Sequence, residues 1–282
     1  ESEKKDRKED KLPGGKETRP LSALEAAKNN RRLVILGDPG SGKSTFVNHL
    51  AICLASFGSE TQYCLTDRLP CWNKEESDIV PIPVVLRDFA RQIPGNESEA
   101  QASHLWEFIR KRAESWNLDA AVFLEQALET GKAIVLLDGL DEIPTKEKRG
   151  FVRDAVEAFA ERYHLSRFVV TCRVLSYQNP EWRLNDTDFP VFELAPFDEK
   201  KIHAFIEAWH EDLFRLKVVK SDEEKIGLAR RLKTAIMRPD LQRLAPNPLL
   251  LTVMALVNTH KGRLPDARAL LYEETVDILL WR

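Results

Sequence analysis

The sequence predicts an α/β fold, a mostly parallel five-stranded sheet flanked by helices and followed by a small helical domain. Three observations predict it. Short apolar runs alternate with segments of helical spacing up to about residue 197, and this alternation implies right-handed crossovers between parallel strands. Ala133–Leu137 is apolar throughout, as a strand buried on both faces should be. After Pro196 only helical segments follow.

The apolar runs define the strands of the predicted sheet. They span Leu33–Leu36, Ile79–Leu86, Ala133–Leu137, Phe168–Thr171 and Val191–Leu194. Since proline cannot donate to a sheet ladder, we expect the second strand, which contains Pro81 and Pro83, to pair fully only after Pro83. Helices of this part are predicted over residues 21–30 and over Lys43–Ser56, Ser103–Trp116, Ala120–Glu129 and Lys148–His164.

The segment after Pro196 predicts a small all-helical part. Its helices are predicted over Glu199–Phe214, from Ser221 or Asp222 to about Met237, over Pro248–Asn258 and over Ala269–Trp281. Asp198 and Asn247 have the side chains preferred at helix N-caps, and Pro248 then takes the first helical position, where proline is favoured.

Composition excludes several classes of protein. The chain has 282 residues, of which 43% are hydrophobic, so it can bury a sizeable core. Its formal net charge is −3, whereas dedicated nucleic-acid-binding domains are strongly basic. We find no secretory signal and no apolar run long enough to span a membrane, so we expect a cytoplasmic protein. Its four cysteines lack zinc-like spacing and are interpreted as reduced thiols: Cys53, Cys64, Cys71 and Cys172.

A glycine-rich segment between the first strand and the next helix fits the phosphate-loop pattern G-x-x-x-x-G-K-[ST]. Glycines there let the backbone approach an anion, and the following helix presents its N-terminus to the phosphates. Lys43 is expected to reach the β- and γ-phosphates and Ser44 to ligate Mg²⁺. The predicted nucleotide-binding residues of this segment are Gly37, Asp38, Pro39, Gly40, Ser41, Gly42, Lys43, Ser44 and Thr45.

Three carboxylates follow the buried strand Ala133–Leu137. In open parallel sheets ligands lie beyond the carboxyl ends of the strands, so we expect this cluster to face the phosphate loop from a neighbouring strand. Asp138 is the predicted Mg²⁺ ligand, mostly through water. Asp141 or Glu142 is predicted to orient or deprotonate the attacking water, and the sequence leaves their division of roles open.

These motifs together resemble one family. The chain resembles the NACHT domain, a NOD-like-receptor-type branch of the STAND class of P-loop NTPases, and particularly its bacterial members. The motifs that carry the resemblance are GDPGSGKST, then LLDGLDEIP and VVTCR, and the later stretch LAPNPLLLTVMALV. The spacing of Asp138 from Asp141 and Glu142 resembles the NACHT pattern rather than that of generic P-loop ATPases. The resemblance covers residues 21–282.

The resemblance implies further site residues and a role. Arg173 is similar to the family's sensor arginine, which reads the γ-phosphate, and Pro248 to a proline near the adenine and ribose. It implies a slowly hydrolysing ATP/ADP switch that uses Mg²⁺ and gates self-association and a tethered effector in innate immunity or antiviral defence.

The residue pattern and the resemblance together predict a domain division. Residues 1–20 are expected to form a charged leader or linker, 21–197 the nucleotide-binding domain, 198–264 the helical domain and 265–282 the first helix of a truncated winged-helix domain. The effector and sensor domains that the family carries in cis are expected to lie outside this chain.

Two other functions stay open on the sequence. One is a turnover enzyme such as a GTPase, although no N-K-x-D-like guanine reader is present. The other is a non-enzymatic assembly scaffold that holds nucleotide only for structure.

Overall fold

The computed structural model describes residues 21–56, 69–70, 72, 78–93, 99–115 and 117–280. Within them, parallel strands form one five-stranded sheet in the order β2-β3-β4-β1-β5. The predicted fold class is therefore confirmed. The strands are β1 (Arg32–Leu36), β2 (Val80–Val85), β3 (Ala133–Asp138), β4 (Arg167–Cys172) and β5 (Val191–Glu193).

Strand β3 lies inside the sheet and is buried on both faces, as its apolar run predicts. Ala133, Val135 and Leu137 join one hydrophobic cluster, whereas Ile134 and Leu136 join another on the opposite face. This alternation follows from the two-residue period of a strand. Two packed cores therefore hold the strand that ends in the acidic cluster.

The predicted helices of the sheet-containing part lie close to their expected ranges, and the structure adds two short helices. Together they are α1 (Ala23–Asn29), α2 (Lys43–Ala55), α3 (Leu86–Gln92), α4 (Ala102–Glu114), α5 (Leu118–Glu129), α6 (Lys146–Arg162) and α7 (Val174–Tyr177). Short 3-10 turns cover Leu140–Glu142 and Pro180–Trp182. The sequence did not predict α3 or α7, which have seven and four residues and no side-chain N-cap to signal their starts.

The pairing of β2 differs from the prediction. All of Val80–Val85 pairs with Ala133–Asp138, so the expectation of full pairing only after Pro83 is wrong. Val80 donates its N–H to the carbonyl of Lys132 at 2.8 Å. Because N–H groups alternate in direction along a strand, the nitrogens of Pro81 and Pro83 face away from β3, on the side where the described residues place no further strand.

The helical part has its own hydrophobic core. It consists of α8 (Glu199–Arg215), α9 (Asp222–Ala235), α10 (Pro239–Gln242), α11 (Pro248–Lys261) and α12 (Arg268–Leu280). The predicted N-caps Asp198 and Asn247 are confirmed, and Ser221 caps α9. Leu271 of α12 is buried in the same core as α11.

Some predictions fall outside the described residues, namely those for the leader 1–20, Cys64, Cys71, Trp116 and Trp281. The division of the chain into domains stays a prediction. Across the residues that the structure describes, no helix has both the length and the apolar character needed to cross a membrane.

Candidate nucleotide site

The glycine-rich segment forms the turn between β1 and α2. Helix α2 begins at Lys43, with Gly42 as its N-cap in left-handed backbone at φ 92°. No side chain caps this helix start, and the first N–H groups of a helix have no partner within it. A Cβ on Gly42 would meet nothing within 4 Å, so its backbone angle, not crowding, requires glycine. The helix start is open to an anion.

The Lys43 side chain folds back over the loop. Its Nζ donates to the carbonyls of Gly37, at 2.7 Å, and Asp38, at 3.1 Å. Burial lowers the pKa of the Lys43 ammonium, and the charges of Asp141 and Asp138 oppose that shift. Both carboxylates therefore act electrostatically on the lysine of the phosphate loop.

The loop also contains a buried hydroxyl without a partner. Ser41 Oγ is inaccessible to solvent and makes no hydrogen bond among the described residues. Buried polar atoms are nearly always paired, and an unpaired one is a reason to expect a ligand. A phosphate oxygen would satisfy this hydroxyl, so the loop fits a polyphosphate.

The carboxylate of Asp138 is held at the end of β3 by a residue of β4. The Oγ1 of Thr171 donates to Asp138 Oδ1 at 2.5 Å and accepts from the N–H of Gly139 at 2.9 Å. Thr171 is fully buried. Because one hydroxyl satisfies both groups, it fixes the direction of the predicted metal ligand.

Asp141 lies in the 3-10 turn after β3 and is almost completely buried, with its side chain 6% exposed. Arg173, at the end of β4, donates its backbone N–H to Oδ1 at 3.0 Å and its Nε to Oδ2 at 2.8 Å. The predicted sensor arginine and a predicted catalytic acid thus form a pair.

Glu142 is more exposed and has a different partner. Arg87, at the start of α3, places Nη1 3.2 Å from Glu142 Oε2. Both side chains are more than two-fifths exposed to solvent. The two candidate acids therefore differ, since Asp141 is buried and fixed whereas Glu142 lies at the surface.

The phosphate loop and the acidic cluster meet through β4, which lies between β1 and β3. The N–H of Gly37 donates to the carbonyl of Cys172 at 3.3 Å, while Thr171 binds Asp138 on the other side. The expectation that the carboxylates follow a strand next to β1 is therefore wrong in detail. With one strand between them, the phosphate loop and the carboxylates still lie at the same end of the sheet, beyond the carboxyl ends of the strands.

The helical part reaches the loop at Pro248. The residues on either side of this proline, Asn247 and Leu249, hydrogen-bond to the carbonyls of Pro39 and Gly40. Pro248 therefore lies beside the phosphate loop, while its predicted contact with the base stays a prediction.

The residues present fit Mg²⁺ as well as a polyphosphate. No group of three or more His, Cys, Asp or Glu side chains in the described part of the chain could enclose a metal ion. Mg²⁺ keeps several waters and needs only one or two protein ligands beside the phosphates. The hydroxyl of Ser44 and the carboxylate of Asp138 have the oxygen chemistry that such a pair needs, and their binding of Mg²⁺ stays a prediction.

Sequence reasoning missed two residues of the site. Thr171 is the one polar residue in FVVT, and that break in an apolar strand is a signal that could have found it. Arg87 follows β2 without any motif, so only the fold identifies it. Next to Thr171, burial raises the pKa of the Cys172 thiol to about 12, which makes it a packing residue rather than a nucleophile.

A parallel sheet with a phosphate loop after its first strand and carboxylates beyond a second strand defines a nucleotide-binding domain of the P-loop NTPase class. Residues 31–213, more than half of the chain, match the NACHT domain. The chain belongs to the NACHT family of P-loop NTPases.

Other known proteins are similar over parts of the chain or at low identity. The archaeal Lon protease of Methanocaldococcus jannaschii is 30% identical over 89 residues, which are 32% of this chain and 14% of that protein. The chain thus spans about one seventh of this curated relative. Domain III of the replication initiation protein DnaA from Thermotoga maritima aligns at TM-score 0.41 and 15% identity, over 91% of this chain and 88% of that one. A RuvB mutant from Thermotoga maritima aligns at TM-score 0.38 and 14% identity, over 91% of this chain and 66% of that one.

Proposed function

We propose that this chain is an ATP/ADP-binding, slowly hydrolysing molecular switch. The observation that carries the proposal is the ion pair of Arg173 with the buried Asp141, whose charge acts on Lys43 of the phosphate loop. A γ-phosphate would offer Arg173 a second anion, and ADP would not. ATP and ADP would then differ in their contacts with the end of β4, and a ligand shifts a conformational equilibrium only by such a difference.

Each residue of the site has a proposed role. The loop N–H groups, Ser41 and Lys43 bind the phosphates, and Ser44 and Asp138 hold Mg²⁺, which when bound neutralises charge on the phosphate oxygens. Asp141 or Glu142 orients the attacking water.

Two ion pairs support slow rather than rapid hydrolysis. Asp141 is engaged by Arg173 and Glu142 by Arg87, so both candidate acids already have cationic partners. A carboxylate that is engaged by a guanidinium has fewer free oxygens with which to orient an attacking water. Turnover would require one of these pairs to open or to shift.

The cellular role rests on the family resemblance. We propose that the switch gates self-association and an effector tethered in cis, in the cytoplasm and in innate immunity or anti-phage defence. The helical part supports such gating, because it touches the phosphate loop directly.

The test of nucleotide binding is calorimetry with ATP, ADP and GTP, each with Mg²⁺, on the wild type and on Lys43→Ala. Removing a charged hydrogen-bond donor should weaken ADP binding by at least about tenfold. Lys132→Ala is the matched control, because Lys132 is exposed and pairs with Asp78 away from the loop. Unchanged ADP affinity in Lys43→Ala would exclude the proposal.

Further measurements distinguish the switch from the two alternatives, a turnover enzyme such as a GTPase and a nucleotide-bound scaffold. Competition between labelled ATP and unlabelled GTP decides the base, and a high unstimulated turnover rate would favour a GTPase or motor. Glu142→Gln and Asp141→Asn should trap ATP and enlarge the particle if the chain is a switch. If both variants leave turnover and oligomeric state unaltered, the chain is a nucleotide-bound scaffold.

A further inference from the structure

The first turn of α11 is hydrogen-bonded to the backbone of the phosphate loop. Asn247 Nδ2 donates to the carbonyl of Pro39 at 2.9 Å, although the two residues are 208 positions apart. The N–H of Leu249 donates to the carbonyl of Gly40 at 3.1 Å. These contacts join the helical part to two consecutive peptide groups of the loop.

Gly40 is shaped for this contact. A Cβ added there would lie 2.7 Å from Asn247 Oδ1 and 2.9 Å from Leu249 Cβ, both of which are impossibly close. Its φ of 78° is also a left-handed angle that favours glycine. The missing side chain of this loop glycine therefore makes room for α11.

Asn247 uses both ends of its amide. Its Oδ1 caps α11 by accepting from the N–H groups of Leu249, at 3.0 Å, and Leu250, at 3.2 Å. Its Nδ2 is then free to hold Pro39. A carboxylate would supply the cap but has no proton to donate, and a serine hydroxyl is shorter. Among good capping residues, asparagine is the one that can do both.

Holding a carbonyl also sets the direction of the next N–H. The peptide unit is planar and trans, so its C=O and N–H point in opposite directions. When Asn247 holds the Pro39 carbonyl towards the helical part, the N–H of Gly40 points away from that part. The N–H of Ser41, which follows the Gly40 carbonyl held by Leu249, instead donates to the carbonyl of Asp38 at 3.1 Å and closes the turn of the loop.

We propose that Asn247 is a positioning residue of the phosphate loop, which aims the N–H of Gly40 at the polyphosphate and thereby couples nucleotide affinity to the docking of α11. This inference rests on the proposed nucleotide binding. Coupling of this kind is reciprocal, so bound nucleotide should strengthen the contact of α11 with the loop by the same factor.

The test compares Asn247→Ser with the wild type in the full 282-residue chain. Serine keeps a cap acceptor but does not reach Pro39. We expect the Kd for Mg·ADP, measured by calorimetry, to rise about fivefold, which is the worth of one net hydrogen bond. We also expect ADP to slow hydrogen exchange of the Leu249 amide in the wild type and to slow it much less in the variant.

Two further variants make the result decisive. Asn247→Asp keeps the cap and loses the donor, so it should also bind ADP more weakly. Ser221→Ala removes the cap of α9, where Ser221 Oγ accepts from Glu224 at 3.2 Å, and should leave ADP affinity unchanged.

Different results overturn different conclusions. Wild-type ADP affinity in both Asn247 variants, with Lys43→Ala still defective, overturns the role of Asn247 and leaves the proposed function intact. An equal loss of affinity in Ser221→Ala also overturns it, because general helix stability would then explain the effect. If the wild type binds no nucleotide at all, the proposed function fails first.

Discussion

The Nε of Arg173 lies 2.8 Å from Oδ2 of Asp141, and the backbone N–H of Arg173 donates to Oδ1 of the same carboxylate at 3.0 Å. Arg173 directly follows β4, and Asp141 lies in the turn after β3. The pair therefore links the ends of two adjacent strands, on the side of the sheet where the phosphate loop lies. It also satisfies a carboxylate that has almost no access to water.

Arg173→Ala is expected to lower the free energy of unfolding without nucleotide by about 1 to 2 kcal/mol, because a buried carboxylate loses a charged donor while its backbone donor remains. The guanidinium is half exposed, which limits the effect. Urea unfolding measures it. Arg91→Ala is the control, since Arg91 pairs with Asp88 at an exposed site and should change stability by less than about 0.5 kcal/mol. Equal effects would contradict this reasoning.

Thr171→Val keeps the shape of a buried side chain and removes its hydroxyl. The N–H of Gly139 and the carboxylate of Asp138 each lose a partner, so we expect a loss of about 1 to 3 kcal/mol. The Mg²⁺ concentration needed for half-maximal ATP binding should also rise, because the metal ligand is no longer oriented. Thr171→Ser retains the hydroxyl and should keep normal Mg²⁺ dependence. A normal Mg²⁺ dependence in the valine variant would refute the orienting role.

Substitutions in β2 should distinguish the positions whose nitrogens face β3 from those whose nitrogens face away from it. Pro83→Val restores an N–H on the side that faces away from β3 and should change stability by less than about 1 kcal/mol. The N–H of Ile82 faces β3, so Ile82→Pro should lose at least about 1 kcal/mol more than Ile82→Ala, which removes only the side-chain packing. Denaturant unfolding of the three variants tests this. Similar stabilities for Ile82→Pro and Ile82→Ala would show that the ladder is assigned wrongly.

Stability should fall in mild acid because of His210. Its side chain is 1% exposed, and burial lowers its pKa below the ordinary 6.5, with Lys233 adding to the shift. Around and below pH 6.5 the unfolded chain therefore binds a proton that the native state does not. The free energy of unfolding is at its full value above that pH and decreases as the pH falls below it.

Urea unfolding between pH 8 and 5 measures this effect. The wild type should lose at most about 1.4 kcal/mol per pH unit to this group below pH 6.5. His210→Leu should have a shallower slope there and run parallel to the wild type above pH 7.5. Identical slopes throughout would remove His210 as the cause.

Much of the site was predictable because its signals are local. The order of glycines, Lys43 and Ser44 between an apolar run and a helical pattern lies within a few residues, and so do the N-caps Asp198 and Asn247. Such features depend on backbone angles and on hydrogen bonds to neighbours in the chain. They can therefore be recognised from consecutive residues, without knowledge of the fold.

Contacts between distant segments were not predictable in the same way. Periodicity shows that a segment is a strand and leaves its neighbours undetermined, which is why the position of β4 between β1 and β3 was missed. The donors on Asp138 and Asp141, which come from Thr171 and Arg173, depend on that arrangement.

Local residue order was thus enough to establish a phosphate loop, an acidic strand end and a helical part, because each is built from consecutive residues. The folded chain alone decided that Thr171 orients Asp138, that Arg173 holds Asp141 and that Asn247 supports the loop. Each of these contacts joins segments that the chain separates by 32 to 208 positions, and only the packing of the strands and helices brings them within hydrogen-bonding distance.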